Sequence, residues 1–392
     1  MKHYHYIFTG AGLSALMTVY EMVLSGKYKH KSILLIDENS KKTNDRTWCF
    51  WDNNTLFDDL VFAQCQAAWF KNESFEKRLK LHPYQYKMVN GLDFYKRVFD
   101  LISKEENITF LNQKVIDFQE LGNHCVVKTE TGSFTCNQIF NSIFNPSLVE
   151  SQSKYPFLHQ HFIGWFIKSK EPVFTADCAT FMDFSVEQKG NTRFMYVLPT
   201  SETETLLEYT LFSKDLLAKE AYETEIKNYI NKLGITHYEL VEKEQGNIPM
   251  TCYPFWQHNS KNILNIGSAG GWTKASTGYT FKNTIKKSKA LVQFLSKENN
   301  LTKFHKTDKF WIYDLLLLDI LNQKNHLGST IFSAMFKKGN STVIFKFLDE
   351  ETSFWEDLQV IWKCPKMLFI KALFGRIIRW LSQSTNVKLY KK

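Results

Sequence analysis

A turn of small residues near the start of the chain has the spacing that proteins use to bind dinucleotides. It reads Gly10-x-Gly12-x-x-Ala15, with a short apolar strand before it and a helical pattern after it. Gly10 permits the tight turn, Gly12 lets the backbone approach a pyrophosphate, and alanine is tolerated at the third position. Asp37 ends the next apolar strand, where a carboxylate binds a ribose hydroxyl. The pattern predicts a dinucleotide, with FAD favoured over NAD; the alternative is a turn that only packs a helix on a strand.

A second glycine-rich segment follows another strand-like run, at 262–266, and leads into a helical pattern. This arrangement repeats the physics of an anion site, because backbone N–H groups and a helix dipole converge there. Two such sites would flank one extended flavin nucleotide, whereas the alternative is a helix cap without a ligand. The candidate contacts in this segment are Gly267, Gly270, Gly271, Thr277 and Gly278.

Two carboxyl groups in strand-like runs are candidates for acid catalysis. Glu208 lies in an alternating apolar segment and shares one strand face with Leu206 and Thr210. A carboxyl group among apolar and aromatic neighbours is hard to ionise, so it suits a general acid. Asp183 has similar surroundings. For both residues the alternative is a strand carboxylate that faces solvent.

A helical pattern over Met367–Leu381 combines an apolar stripe with a basic arc. This combination is typical of a helix that lies on an anionic membrane surface, and a helix docked on the core is equally compatible with it. The stripe consists of Phe369, Leu373, Ile377 and Trp380, and the arc of Lys371, Arg376 and Arg379.

These candidates require three groups of elements. The opening strand, helix and strand form a βαβ unit of a doubly wound sheet, and short runs between residues 162 and 212 predict an antiparallel sheet. The predicted fold class is α/β (α+β): a Rossmann-like FAD-binding domain, an antiparallel-sheet substrate domain and a helical C-terminal region. The FAD-binding domain comprises residues 1–65, 91–145 and 260–300. The substrate domain comprises residues 66–90 and 146–259, and the helical C-terminal region comprises residues 301–392.

The composition is that of a globular protein in a reducing, cytoplasmic setting. The 392 residues are 44% hydrophobic and 23% charged, which excludes a fibrous or disordered chain. Seven cysteines, never spaced as CxxC, argue against a disulfide framework and against a zinc site, so no metal is predicted. Neither a signal peptide nor a membrane span is expected. The net charge of +9 suits an anionic partner, either nucleotide, nucleic acid or membrane.

Taken in order, the motifs resemble the bacterial lycopene cyclase family of flavoproteins. The matching segments are GAGLSA and LLID at the start, RTWCFW at 46–51, HPYQY at 82–86, GLDFY at 91–95, FIGWF at 162–166, MDF at 182–184, YVLP at 196–199, LLEYTLF at 206–212, GNIPMT at 246–251 and GSAGG…STGYTF at 267–281. Each motif alone is modest, but their shared order is specific. Beyond about residue 300 the match is thin.

The resemblance implies an enzyme that converts the linear ψ ends of lycopene and other linear carotenoids to β-ionone rings, without net redox change. It implies FAD in its reduced form, with NAD(P)H as reductant, and Glu208 as the essential acid. We expect Asp183 to be its polar partner and Arg46 to be a further cofactor contact. Because a C40 hydrocarbon must be taken from a bilayer, a peripheral position on the inner face of the cell membrane is also expected.

Two segments depart from relatives of this fold. Ser268 stands where most of them have the aspartate of a Gly-Asp pair, so the flavin contact there is open. The run FLDEET at 347–352 resembles the FLEET motif of plant cyclases but comes far too late in the chain, and its acids are expected to cap the next helix.

The competing class of enzyme is a flavin-dependent hydroxylase or prenyl-chain reductase, which would share both glycine segments but need no acid at Glu208. A nucleic-acid-binding module is disfavoured because the lysines are dispersed. The number of lycopene ends cyclised, the β, γ or ε ring outcome and the oligomeric state stay open.

Overall fold

The computed structural model describes the backbone of residues 1–389 and the side chains of residues 1–381. Over this range the strands are β1 His3–Thr9, β2 Ile33–Asp37, β3 Thr47–Asp52, β4 Val61–Cys65, β5 Ala67–Asn72, β6 Phe75–Lys80, β7 Gln85–Asn90, β8 Ile108–Asn112, β9 Val115–Leu121, β10 His124–Thr129, β11 Ser133–Asn141, β12 Leu158–Ser169, β13 Cys178–Asp183, β14 Thr192–Pro199, β15 Glu204–Ser213, β16 Tyr238–Met250 and β17 Ile263–Asn265. The α-helices are α1 Leu13–Ser25, α2 Gly91–Ile102, α3 Ser147–Glu150, α4 Lys219–Lys232, α5 Phe281–Leu295, α6 Lys309–Lys324, α7 Gly328–Lys338, α8 Ser341–Leu348, α9 Phe354–Ile361 and α10 Lys366–Leu389.

The first sheet contains the opening βαβ unit. Its strand order is β8-β2-β1-β11-β10-β9, with β17 paired to β11. β1 pairs in parallel with β2 because the helix α1 forms the crossover between them. The first four residues of β2 are buried, as expected for a central parallel strand that is covered on both faces. α1 packs against α5, where the hydroxyl oxygens of Thr18 and Ser288 lie 3.0 Å apart.

The second sheet has the order β16-β12-β15-β14-β13-β5-β6 and is antiparallel except at the β5–β13 pair. α4 covers one face with Tyr222, Ile226 and Ile230. The other face packs against the C-terminal helices. Since both faces are covered, all eight residues of β14 are buried.

A small antiparallel sheet, β3-β7-β4, connects the two larger sheets. Its strand β3 carries a cluster of aromatic side chains. Trp48 and Phe50 enter the core around α1, and Trp51 enters the core of the second sheet. Side chains alternate along a strand, so one strand supplies both cores.

The predicted α/β fold class is confirmed by the two sheets and by the helices that follow them. The helix that follows the second glycine-rich segment begins at Phe281. Gly278 has a φ of +73°, a left-handed conformation that interrupts a helix. None of the helices within residues 1–389 combines the length and the apolar character needed to cross a membrane.

The contacts of α10 differ from those of a helix whose predicted stripe lies on lipid, and in part they match the alternative of a helix docked on the core. Arg376, expected on a basic arc open to lipid, is 1% exposed; its guanidinium binds Asp319 of α6 and donates to the Lys154 carbonyl at 2.7 Å. Trp380, expected on the lipid side, packs against the core of the second sheet. The apolar side chains that α10 exposes most include a different stripe, formed by Met367, Ile370, Phe374 and Ile378.

Candidate active site

The two glycine-rich segments meet at the start of α1. Gly10 has a φ of +92°, and a Cβ on it would lie 2.3 Å from Ser142 Oγ, next to the end of β11. Gly267 has a φ of +58°, and a Cβ on it would lie 2.4 Å from Ser14 Oγ in the first turn of α1. Both the left-handed backbone and the close approach require glycine at these positions.

A cavity of about 450 Å³ runs from this junction to the second sheet. Gly270 and Gly271 do not line it. A Cβ on Gly270 would meet the Asn265 carbonyl oxygen, and a Cβ on Gly271 would meet the Phe255 ring. The predicted site residues that do line it are Gly12, Arg46, Glu208, Gly267, Thr277 and Gly278.

The glycine end of the cavity fits a polar, anionic group. Gly12 is the N-cap of α1, and within the described residues no side chain caps this helix and no atom lies within 4 Å of a Cβ at Gly12. The first N–H groups of α1 are therefore available to an anion. On the adjacent wall, Gln160 Oε1 and Thr277 Oγ1 are buried and find no hydrogen-bond partner in the described chain. Such orphaned atoms are rare in folded proteins unless a ligand or ion satisfies them.

Three other predicted contacts lie around this end. Asp37 Oδ2 accepts a hydrogen bond from the Ala11 N–H at 2.6 Å, so its carboxylate holds the glycine turn. Ala15 is fully buried where α1 approaches the sheet. Arg46 lines the cavity with a largely exposed side chain and pairs with Asp45 at 3.2 Å.

The opposite end of the cavity carries a row of residues that crosses four strands at one level. Tyr196 of β14 is the register partner of Glu208 on β15. Glu208 is in turn the partner of Gly164 on β12, and Gly164 is the partner of Glu244 on β16. Directly opposed residues project from the same face of a sheet. Consequently Tyr196, Glu208 and Glu244 all line the cavity.

Glu208 is buried, which decides between the two alternatives that its strand pattern left open. The Thr210 hydroxyl donates a hydrogen bond to Glu208 Oε1 at 2.6 Å. Burial, and secondly the carboxyl group of Glu244, raise the pKa of Glu208 to about 8. A carboxyl group with this pKa keeps its proton at neutral pH and is able to donate it.

Glu244 is a site residue that the sequence reasoning missed. The Thr47 hydroxyl of β3 donates a hydrogen bond to Glu244 Oε2 at 2.9 Å. Burial raises the pKa of Glu244 to about 7. Most of β16 is polar and partly exposed, so the pattern of this strand does not distinguish Glu244 from its exposed polar neighbours. The usable signal is Gly164, because a glycine inside an apolar strand marks the close approach of another group.

Three tyrosines form the wall between the carboxyl row and the aromatic core. The hydroxyl oxygen of Tyr279 lies 3.4 Å from that of Tyr196 and 3.5 Å from that of Tyr86. Burial raises the pKa of all three phenols well above the usual value, so they stay neutral. Aromatic rings attract cations at their faces. The wall therefore offers neutral, electron-rich surroundings beside the acid.

The structure does not bring Asp183 to Glu208, which corrects the expectation of a polar partner there. Asp183 Oδ2 accepts a hydrogen bond from the Tyr229 hydroxyl of α4 at 2.7 Å. Tyr229 belongs to the helix-covered face of the sheet, opposite the cavity. A register shift between Thr180 and Asp183 breaks the strand alternation and accounts for the change of face.

The acidic run at 349–351 binds lysines and does not cap the next helix, α9, so the expected cap is wrong. α8 ends before the run, and the cap of α9 is Ser353. The run instead ties the glycine-rich segment and α5 to the C-terminal helices. The ion pairs are Asp349 with Lys282 at 2.5 Å, Glu350 with Lys274 at 3.1 Å and Glu351 with Lys286 at 2.6 Å.

This combination of sheets and cavity defines a fold class that includes a known flavoprotein. A flavoprotein/dehydrogenase from Cytophaga hutchinsonii aligns with a TM-score of 0.64 over 95% of this chain and 100% of that chain, at 11% identity. A geranylgeranyl bacteriochlorophyll reductase-like protein from Thermoplasma acidophilum aligns with a TM-score of 0.60 over 96% of this chain and 100% of that chain, also at 11% identity. At this identity the likeness shows the fold alone.

Within that class, the chain belongs to the lycopene cyclase family. The family described as "Lycopene cyclase protein" matches residues 6–373. A lycopene beta-cyclase from Pantoea ananas is 32% identical over 104 residues, which are 25% of this chain and 27% of that protein. The match therefore spans about a quarter of the curated relative. The resemblance seen in the order of motifs is confirmed.

Proposed function

We propose that the protein is a lycopene β-cyclase, an isomerase that converts the ψ ends of lycopene to β-ionone rings, through γ-carotene to β-carotene. The observation that carries the proposal is a buried carboxyl group, Glu208, facing a cavity that also reaches the open N-terminus of α1. Membership of the family and the name of the Pantoea relative support it.

We further propose FAD as the cofactor, held by residues 1–65, 91–145 and 260–300. The Gly10–Gly12 turn and the N–H groups of α1 would hold the pyrophosphate, and Asp37 the ribose. The segment from Gly267 to Gly278 would hold the flavin end, with a hydroxyl at Ser268 where a carboxylate is usual. When reduced by NAD(P)H, FAD supplies negative charge near a developing cation.

In the proposed reaction, Glu208 donates its proton to the terminal double bond of a ψ end. The O–H bond breaks, a C–H bond forms, and the neighbouring double bond attacks the tertiary cation to close the ring. The ring cation then returns one proton to a carboxylate of the site, so atoms and charge balance without an oxidant. Residues 66–90 and 146–259 form the substrate domain. Its Tyr86 and Tyr196, together with Tyr279 of the second glycine-rich segment, form the neutral wall that protects the cation from capture by water.

Lycopene is proposed to come from the inner face of the cell membrane, which α10 would contact. Its exposed apolar stripe lies beside Lys363, Lys366 and Lys371, all exposed, which complement an anionic surface. An exposed tryptophan, Trp362, is next to this group, with Lys366 Nζ 3.6 Å from its ring centre. Aromatic rings of this kind prefer the membrane interface.

Expression in a lycopene-accumulating bacterium tests the function directly, and β-carotene is the expected pigment. An anaerobic assay of the purified protein with pre-reduced FAD then separates the two classes of enzyme. A cyclase forms many equivalents of product for each reduced flavin. Stoichiometric consumption of reductant, or a hydrogenated or hydroxylated product, would identify the hydroxylase or reductase class instead.

A further inference from the structure

We propose that Glu244 is a positioning residue for Glu208, and that the two carboxyl groups share one proton across Gly164. The consequence for activity rests on the proposed cyclase function, whereas the sharing of the proton is a property of the pair itself. None of the segments that carry the resemblance contains Glu244.

The backbone explains why these two carboxyl groups can meet. They lie on strands that are both paired to β12, and adjacent strands are about 4.8 Å apart. A side chain on the middle strand would separate them. At Gly164, an added Cβ would lie 3.0 Å from Glu244 Cγ and 2.8 Å from Leu206 Cδ1. The Glu244 side chain therefore occupies the space above the glycine, on the way to Glu208.

The charges around the pair permit only one carboxylate. Neither Glu208 nor Glu244 forms an ion pair with a lysine, arginine or histidine of the described chain. Each accepts a single side-chain hydrogen bond, from Thr210 and Thr47 respectively. Glu208 is buried and Glu244 is half-buried, and two neighbouring carboxyl groups that lack a cation resist ionising together.

The other titratable groups around the pair do not supply the missing positive charge. Three tyrosines face the pair, Tyr86 on β7, Tyr196 on β14 and Tyr279 in the segment before α5. Burial also raises the pKa of the Cys49 thiol on β3 well above its usual value. Glu242 on β16 adds further negative charge. The cation that lines the cavity, Arg46, pairs with Asp45.

The shared proton gives each of the two carboxyl groups a role in the reaction. While Glu244 is a carboxylate, its charge opposes ionisation of Glu208 and keeps the proton on the acid. After the proton has moved to the substrate, two carboxylates face one carbocation, which they stabilise. After ring closure, the ring cation loses a proton to one of the two carboxylates, which restores the singly protonated pair for a second turnover.

The first test needs no substrate. Infrared titration of the carboxyl C=O band, recorded as the difference between the wild type and the E208Q/E244Q double variant, should show two separate steps, because this difference isolates the pair and coupled carboxyl groups titrate as a pair. E244Q keeps the shape and removes one charge, so it should leave one step, lowered by about one pH unit relative to the upper wild-type step. E239Q, at an exposed position of the same strand, is the matched control and should keep both steps. A single wild-type step near the ordinary carboxyl pKa would overturn the proposal.

The second test measures cyclisation against pH. In E244Q the loss of activity at alkaline pH should begin about one unit lower than in the wild type, and E244D should restore the wild-type profile. An unchanged profile in E244Q would show that Glu244 does not act on Glu208. A wild type that forms no cyclic product would contradict the proposed function, and the infrared titration would still decide whether the pair shares a proton.

Discussion

At the scale of single residues, the reactivity of the site depends on which interaction dominates the pKa of Glu208. Burial and the neighbouring Glu244 raise its pKa, and the hydrogen bond from Thr210 lowers it. Burial has the larger effect because a carboxylate loses most of its hydration in this cavity wall, and the single hydrogen bond from the hydroxyl replaces only a small part of that hydration. The Thr210 hydroxyl thus orients the acid without making it ionise at neutral pH.

E208Q is expected to abolish cyclisation while FAD binding is retained. Glutamine keeps the shape and accepts the bond from Thr210 but has no proton of comparable acidity, so we expect a loss of at least 100-fold, typical of removing a general acid. Pigment analysis and flavin content of the purified variant measure the two effects. E351Q, which alters an acid bound to Lys286 far from the cavity wall, is the control and should stay active. Normal cyclisation by E208Q would refute the assignment of the acid.

Cyclisation by the wild type should fall as the pH rises through about 8. The acid must be protonated to act, and its pKa is raised to about 8, so the active form is complete below this value and is lost above it. The initial rate with pre-reduced FAD, measured between pH 6 and pH 10, checks the direction. Flavin binding over the same range separates loss of the proton from loss of the cofactor. A rate that increases through pH 8 would argue for an ionised catalytic group.

At the scale of elements, the turn before α1 permits a test that leaves the fold intact. Gly12 has ordinary extended backbone angles, and its Cβ position is open to the cavity. G12V should therefore fold normally but place a branched side chain where the pyrophosphate would approach the helix, so FAD binding should be lost. Absorbance of the flavin in the purified protein measures it. G132V, at another glycine whose Cβ position meets no described atom, is the matched control and should bind FAD as the wild type does.

The elements also show how far sequence reasoning reaches. The βαβ unit and the strand of Glu208 follow from local periodicity, whereas the strand pattern left open whether Glu208 is buried or faces solvent. Glu244 could not be found in this way, because its proximity to Glu208 depends on the register of two strand pairs around Gly164. Asp183 was misplaced because alternation assumes a regular strand, and a register shift in β13 turns its side chain to α4.

At the scale of the whole molecule, one buried ion pair decides which side of α10 faces outward. Arg376 and Asp319 are both 1% exposed, and a buried charge is stable only with its partner. Arg376 therefore has to face α6. The helical repeat of 3.6 residues then places Phe374 and Ile378, two positions before and after it, on roughly the opposite side. From the sequence alone Arg376 is expected at the surface, so the membrane interpretation placed its lipid-facing stripe on the wrong arc.

This orientation leads to a prediction about membrane binding. Met367, Phe374 and Ile378 are each more than 60% exposed. Replacing all three with serine should weaken binding to anionic vesicles by about 1,000-fold or more, since each side chain that inserts contributes about 1.5 kcal/mol or more. Co-sedimentation with vesicles measures the change. A control that replaces Ile116, Leu121 and Val241, exposed apolar residues on β9 and β16, should bind vesicles as the wild type does. If the α10 variant keeps its melting temperature and also its vesicle affinity, this helix is not the contact, and the exposed stripe serves another partner.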